Sequence, residues 1–357
     1  MHNCFKFINE TYKIDLNNKR IIISKPTRIG DVACCLPIVT VIKERYPNCH
    51  IIFLGQEYTR QLLEIYNGID EFIDYKKLVD SEESETAKNL AKYKADIIIH
   101  TLPDVRLLKA ARKARIPIRI ATASKIISWR TCNRLVLIKR SLWKLHESQF
   151  DMMFLKALDF KKHYSKNEII QLRDYKPPKQ DALCLALLHK NKFNLIIHPR
   201  GMTPVMLWPI DFFVQIIQII PKSNCKIFIT GSEADSLIIS NLIHHFSSED
   251  VVDLCGKTSL NDLIQLISHS DGLIAGSTGP LHLAANFGIH ALGIYPPIQP
   301  RHPERWGPIG EKAETLCVQK KCDNCRNAST CACLSLITPQ QVLNTISKWF
   351  TGFGTNL

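Results

Sequence analysis

The chain has 357 residues, of which 45% are apolar and 22% charged, which excludes a disordered or fibrous protein and supplies enough core for two α/β domains. Its formal net charge of +13 points to an anionic partner (nucleic acid, phospholipid surface or phosphorylated substrate) without choosing among them. No run approaches the roughly 20 apolar residues of a membrane span, no signal-type stretch opens the chain, and cysteines such as Cys34, Cys35, Cys184 and Cys225 sit singly or as neighbours inside predicted elements, so a reducing, cytoplasmic setting is expected.

Arg20–Ser24 (RIIIS) reads as a buried strand, and the loop Lys25–Gly30 leads into a helix from about Asp31 to Tyr46, which Pro37 is expected to kink. Ile51–Leu54 is the next strand, Thr59–Tyr66 a helix and Phe72–Asp74 a short strand. Asp80–Lys94 is charged with a helical pattern, and Asp96–His100 is again a strand. Alternation of this kind marks a parallel, doubly wound sheet, whose ligands sit at the carboxyl ends of the strands. From Arg106 to Lys144 there are twelve Lys or Arg and no Asp or Glu. This run reads either as a solvated basic face or as a surface for anionic lipid head groups or a phosphorylated acceptor. No nucleic-acid motif accompanies the charge, and no nucleic-acid partner is expected.

His146–Phe160 is an amphipathic helix, and the polar, proline-containing Arg173–Gln180 is the expected linker between domains 1–175 and 176–357. The second half restarts the rhythm: strands at Leu195–His198, Lys226–Thr230 and Val251–Leu254 alternate with helices at Ile210–Ile220, Ala234–Phe246 and Leu260–Ser268, and Val342–Phe350 closes the chain as a helix.

Asp271–Pro297 is the stretch around which the rest is organised. Its order is strand, tight turn (Gly276–Pro280), helix, Gly288 and returning strand. A helix that starts on small residues offers converging backbone N–H groups and the positive end of its dipole, which together make a seat for phosphate. Thr278 and His282 lie one turn apart and face the same anion position.

Taken together, Arg20–Pro47, Ile196–Phe213 (IIHPRGMTPVMLWPIDFF), Ile227–Asp235 (IFITGSEAD), Leu254–Pro297 and Glu304–Pro308 (ERWGP) resemble glycosyltransferase family nine, the lipopolysaccharide heptosyltransferases, over nearly the whole chain. The resemblance implies an α/β GT-B fold, two Rossmann-like domains facing across a cleft. It also implies an inverting, metal-independent transfer of a sugar from a nucleotide-diphosphate donor such as ADP-heptose, with no cofactor. Domain 1–175 would hold an anionic glycolipid acceptor, through Lys25, Arg28 and Gly30, at the inner face of the cytoplasmic membrane. Domain 176–357 would hold the donor.

On this pattern Asp31 is the base that takes the proton of the acceptor hydroxyl; it also reads as a first-turn acid of its helix, and the two roles are compatible. Ser277, Thr278 and Gly279 meet the diphosphate charge with His282 behind them, and Glu233 accepts from ribose hydroxyls. Two positions depart from the family pattern: Met206 stands where a lysine is common, and Ser277 where an aspartate is common. Arg200, in the loop of Met206, is the candidate replacement cation. Cys322, Cys325, Cys331 and Cys333 are spaced as a possible structural zinc or disulfide set, although the last pair is not usual finger spacing. A GT-B nucleotide-sugar epimerase and a non-catalytic basic binding protein are the alternatives.

Overall fold

A computed structural model describes residues 14–142, 145–160, 163–180, 183–200, 207–244, 246–299, 301–319, 322 and 331–350. The chain divides into two compact units, Met1–Lys176 and Pro177–Leu357.

In the first unit the strands are β1 (Arg20–Ser24), β2 (His50–Gly55), β3 (Glu71–Asp74), β4 (Ile97–His100), β5 (Ile118–Thr122) and β6 (Arg134–Val136). They form one sheet in the order β3-β2-β1-β4-β5-β6, every pair parallel. The isoleucine runs of β1, β2 and β4 explain this arrangement. Ile21–Ile23, Ile51, Ile52 and Ile97–Ile99 are fully buried, as strands covered by helices on both faces must be.

The helix expected from Asp31 to Tyr46 starts two residues earlier and is two helices, Ile29–Cys35 and Pro37–Arg45. Pro37 is the reason: it cannot donate within a helix but suits the first turn of a new one. The basic segment is not one solvated face. It holds the helix Val105–Lys113, β5, the helix Ile126–Thr131 and β6, and part of its charge is internal. Arg119 donates to the Thr131 carbonyl at 2.8 Å, Arg134 to that of Ala157 at 2.6 Å, and Lys109 and Lys113 pair with Glu83. The first residues of the expected linker dock on this unit. The Asp174 carbonyl accepts from the Asn67 amide at 2.8 Å, and the Tyr66 and Tyr175 rings meet edge to face at 4.8 Å.

The second unit holds β7 (Phe193–His198), β8 (Cys225–Ile229), β9 (Val251–Asp253), β10 (Gly272–Ala275), β11 (His290–Tyr295) and β12 (Ala313–Cys317). Their order is β12-β11-β10-β7-β8-β9, again wholly parallel. Its core gathers Phe193, Phe213, Ile216 and Trp208 with Trp349 and Phe350 from the closing segment. That segment is the helix Pro339–Ile346 followed by a 3-10 turn.

The two sheets share one topology. In each, the chain lays down three strands outward from the middle, then returns to the middle and builds the other side. The reversal falls between β1 and β4 in the first sheet and between β10 and β7 in the second. Crevices outside the carboxyl ends of strands at such a switch point are where doubly wound sheets bind ligands.

Candidate active site

In the second unit, the residues that leave β10, β7 and β8 stand side by side at the carboxyl edge. Beyond β10, Ser277 is exposed, Thr278 and Gly279 are half-buried, and the helix Gly279–Asn286 begins. Thr278 is the N-cap residue, yet its side chain makes no capping hydrogen bond. Its Oγ1 is buried and has no hydrogen-bond partner among the described residues. Pro280 brings no N–H, so the amides of Gly279 and Leu281 are the donors without an intrahelical acceptor. His282, one turn on, is buried.

His198 ends β7, and Pro199 and Arg200 follow it. The Arg200 guanidinium is held by Asp235, Nε to Oδ1 at 2.6 Å, so the cation expected to replace the missing lysine already has a carboxylate partner. Met206 lies outside the described residues. Asp235 also accepts from the Ser232 hydroxyl at 2.6 Å and its amide at 3.0 Å, which closes a capping box on the helix Glu233–Ile243. Burial pushes the Asp235 carboxyl up, but the Ser232 and Arg200 donors prevail and hold it below the ordinary value. Glu233 opens that helix and is exposed. His198 was not singled out in the sequence. Its Nδ1 lies 2.9 Å from Thr230 Oγ1, and burial pushes its pKa down to about 4, against the pull of Asp235.

In the first unit, Asp31 is the third residue of the helix Ile29–Cys35, half-buried at the carboxyl edge beyond β1. Arg28 is the N-cap and is exposed; Gly30 is buried. Lys25 does not take the place expected of an acceptor contact. It is 1% exposed, with Nζ at 2.8 Å from Asp151 Oδ2 and 3.6 Å from Glu147 Oε1. Arg140 completes the set, reaching Glu147 at 2.9 Å and Asp151 at 3.0 Å.

Two cations thus face two carboxylates out of water, a neutral quartet that ties the loop before Asp31 to the helix Glu147–Met152. Burial would lower the Lys25 pKa, but Asp151 and Glu147 outweigh it and raise it, whereas burial lifts Asp151 to about 6 against the pull of Lys25. These directions oppose. The salt-bridge geometry on both sides of each carboxylate favours the charged form throughout. Cys34 and Cys35 lie beside the quartet, and burial holds both thiols protonated, Cys34 up to about 12.

Among the described residues no group of three or more His, Cys, Asp or Glu is arranged to hold a metal ion. Cys325 lies outside them; Cys331 and Cys333 are buried, and burial pushes the Cys333 thiol up to about 11, with Cys322 and Cys331 as neighbours.

Two doubly wound parallel sheets, one with a carboxylate beyond its central strand and the other with a helix start that no side chain caps, place the chain in the two-unit α/β class. A family model described as glycosyltransferase family 9 (heptosyltransferase) matches residues 85–334, well over half of the sequence, and the chain belongs to that family. Lipooligosaccharide heptosyltransferase 2 of Campylobacter jejuni is 23% identical over 350 residues, covering 93% of this chain and 99% of that protein. Among solved structures, a glycosyl transferase family 9 protein of Veillonella parvula superposes with a TM-score of 0.78 at 20% identity, over 95% of this chain and 99% of that one. The E. coli heptosyltransferase WaaC with ADP gives 0.71 at 17% identity, over 92% and 99%. The fold is therefore GT-B, and the protein is a glycosyltransferase.

Proposed function

We propose that this enzyme transfers a heptose, with inversion and without a metal, from a nucleotide-diphosphate donor such as ADP-heptose to a lipopolysaccharide core or related glycolipid. The acceptor hydroxyl oxygen attacks the anomeric carbon while Asp31 takes its proton, and the sugar's bond to the diphosphate breaks. Thr278, with the amides of Gly279 and Leu281, meets the charge left on the diphosphate; His282 stands behind them and Ser277 beside them. Glu233, exposed at the start of its helix, accepts from the ribose hydroxyls. Arg200 acts with Asp235 as a fixed pair rather than as a lone cation. In the first unit, Arg28 and Gly30 receive the acceptor, and Lys25 supports their loop through its pairs with Asp151 and Glu147. The glycolipid acceptor puts the enzyme at the inner face of the cytoplasmic membrane.

One observation carries the donor assignment: the Thr278 hydroxyl, buried and without a partner among the described residues at a helix start it does not cap, has hydrogen-bonding capacity left for an anion. The ADP bound in the E. coli relative's structure is of the same chemistry. A thermal-shift panel of nucleoside diphosphates and their sugars tests the donor; at a hundredfold Kd a ligand adds about 2.7 kcal/mol. Asp31→Asn is expected to lower turnover by roughly 100-fold or more and to leave donor affinity unchanged. Retained turnover in that variant would remove Asp31 from the mechanism.

A further inference from the structure

The large apolar side chains that the first unit leaves exposed are not scattered. Leu102 (42% exposed) and Val105 (51%) follow β4, Ile126 (78%) and Trp129 (36%) follow β5, and Leu137 (60%) follows β6. These three strands are parallel neighbours, so their carboxyl ends open on the same sheet edge. Tyr58 (42%) follows β2 at that edge too, which completes the exposed large apolar side chains among the described residues of this unit. Single exposed apolar residues need no explanation, but a set confined to one edge does.

Charge is arranged around the same places. Lys125 and Arg130 flank Ile126 and Trp129, Lys139 follows Leu137, and all three are exposed; no acidic residue occurs between Arg106 and Lys144. The Trp129 indole N–H donates to the Ala123 carbonyl at 2.8 Å, which fixes the ring in a half-exposed position.

We infer that this edge docks on a bilayer of anionic lipid, with Ile126, Trp129 and Leu137 entering the head-group boundary and Lys125, Arg130 and Lys139 meeting lipid phosphates. Aliphatic tips, an anchored indole and the exposed cations Lys125, Arg130 and Lys139 beside them match a lipid interface, where apolar burial and attraction to anionic head groups add. A nucleic acid would use the cations and leave Ile126 and Leu137 without a role. The purpose of docking rests on the transferase reading: Asp31 follows β1 at the same edge, where a lipid-linked acceptor would be delivered to it.

Sedimentation of the full chain with vesicles of phosphatidylglycerol and phosphatidylcholine, against phosphatidylcholine alone, tests the inference without turnover. The wild-type protein is expected to partition to the anionic vesicles with a blue shift in tryptophan emission that Trp129→Phe removes. Ile126→Glu with Leu137→Glu should weaken partition at least tenfold, whereas Leu237→Glu, at a 71% exposed position in the other unit, should not change it. The inference is overturned if the wild type ignores anionic vesicles. It is overturned equally if the double variant binds like wild type, or if binding follows Lys125→Gln and Arg130→Gln while ignoring the apolar pair, as a plain polyanion site would. Transfer to an acceptor stripped of its acyl chains separates the two readings: the double variant should retain it, and its absence in the wild type would count against the transferase proposal alone.

Discussion

A buried hydroxyl without a partner normally destabilises a fold, so Thr278 is informative in both directions. Replacing it with the near-isosteric valine removes no hydrogen bond made among the described residues. Thr278→Val should leave urea-unfolding stability unchanged or slightly raised. If the hydroxyl serves the diphosphate, donor affinity should fall about tenfold, in line with the worth of a hydrogen bond to a charged group. Calorimetric titration with ADP would show it, and unchanged affinity would reassign the hydroxyl. The sequence pointed to this turn because its small residues and its place after an apolar run are local features. Lys25 and Arg200 were legible only as charges. Their partners lie 126 and 35 residues away, and no local spacing links a loop lysine to an aspartate in a distant helix.

Among the elements, the helix Glu233–Ile243 shows how a loop holds a candidate ligand residue in place. Gly256 has φ +70°, and a Cβ there would come within 2.8 Å of the Glu233 Cα. Its amide donates to the Gly231 carbonyl at 3.1 Å, so the turn after β9 sits directly under the start of this helix. Gly256→Ala is expected to cost about 1–3 kcal/mol in chemical denaturation, from positive φ and the backbone clash together. Donor affinity should weaken too if Glu233 holds the ribose.

The apolar strands β1, β2, β4, β7, β10 and β11 were readable because burial on both faces leaves continuous aliphatic runs. The strands β5 (IRIAT), β6 (RLV) and β12 (AETLC) were not. Each mixes polar residues into a short run, β6 and β12 lie at sheet edges, and only pairing in the assembled sheet identifies them.

For the molecule as a whole, each unit buries a neutral imidazole near its switch point. Burial pushes His100 down to about 3, with Arg119 adding to the effect, and His198 down to about 4. An unfolded histidine titrates near 6.5. As pH falls below that value the unfolded chain takes up protons first, so stability is complete above about 6.5 and declines through the window toward 4. Each group contributes up to about 1.4 kcal/mol per pH unit. Urea unfolding at pH 7.5 and pH 5 should show the loss in both units, and a flat profile would mean the imidazoles are not kept neutral.

The doubled strand order has a consequence for how this chain changes over time. Each sheet closes on its own core and keeps its candidate residues on its own loops, so the halves can be inherited, exchanged or redesigned as cassettes. A chimera joined at Lys176 and Pro177 would trade one partner preference while leaving the other lineage of contacts untouched.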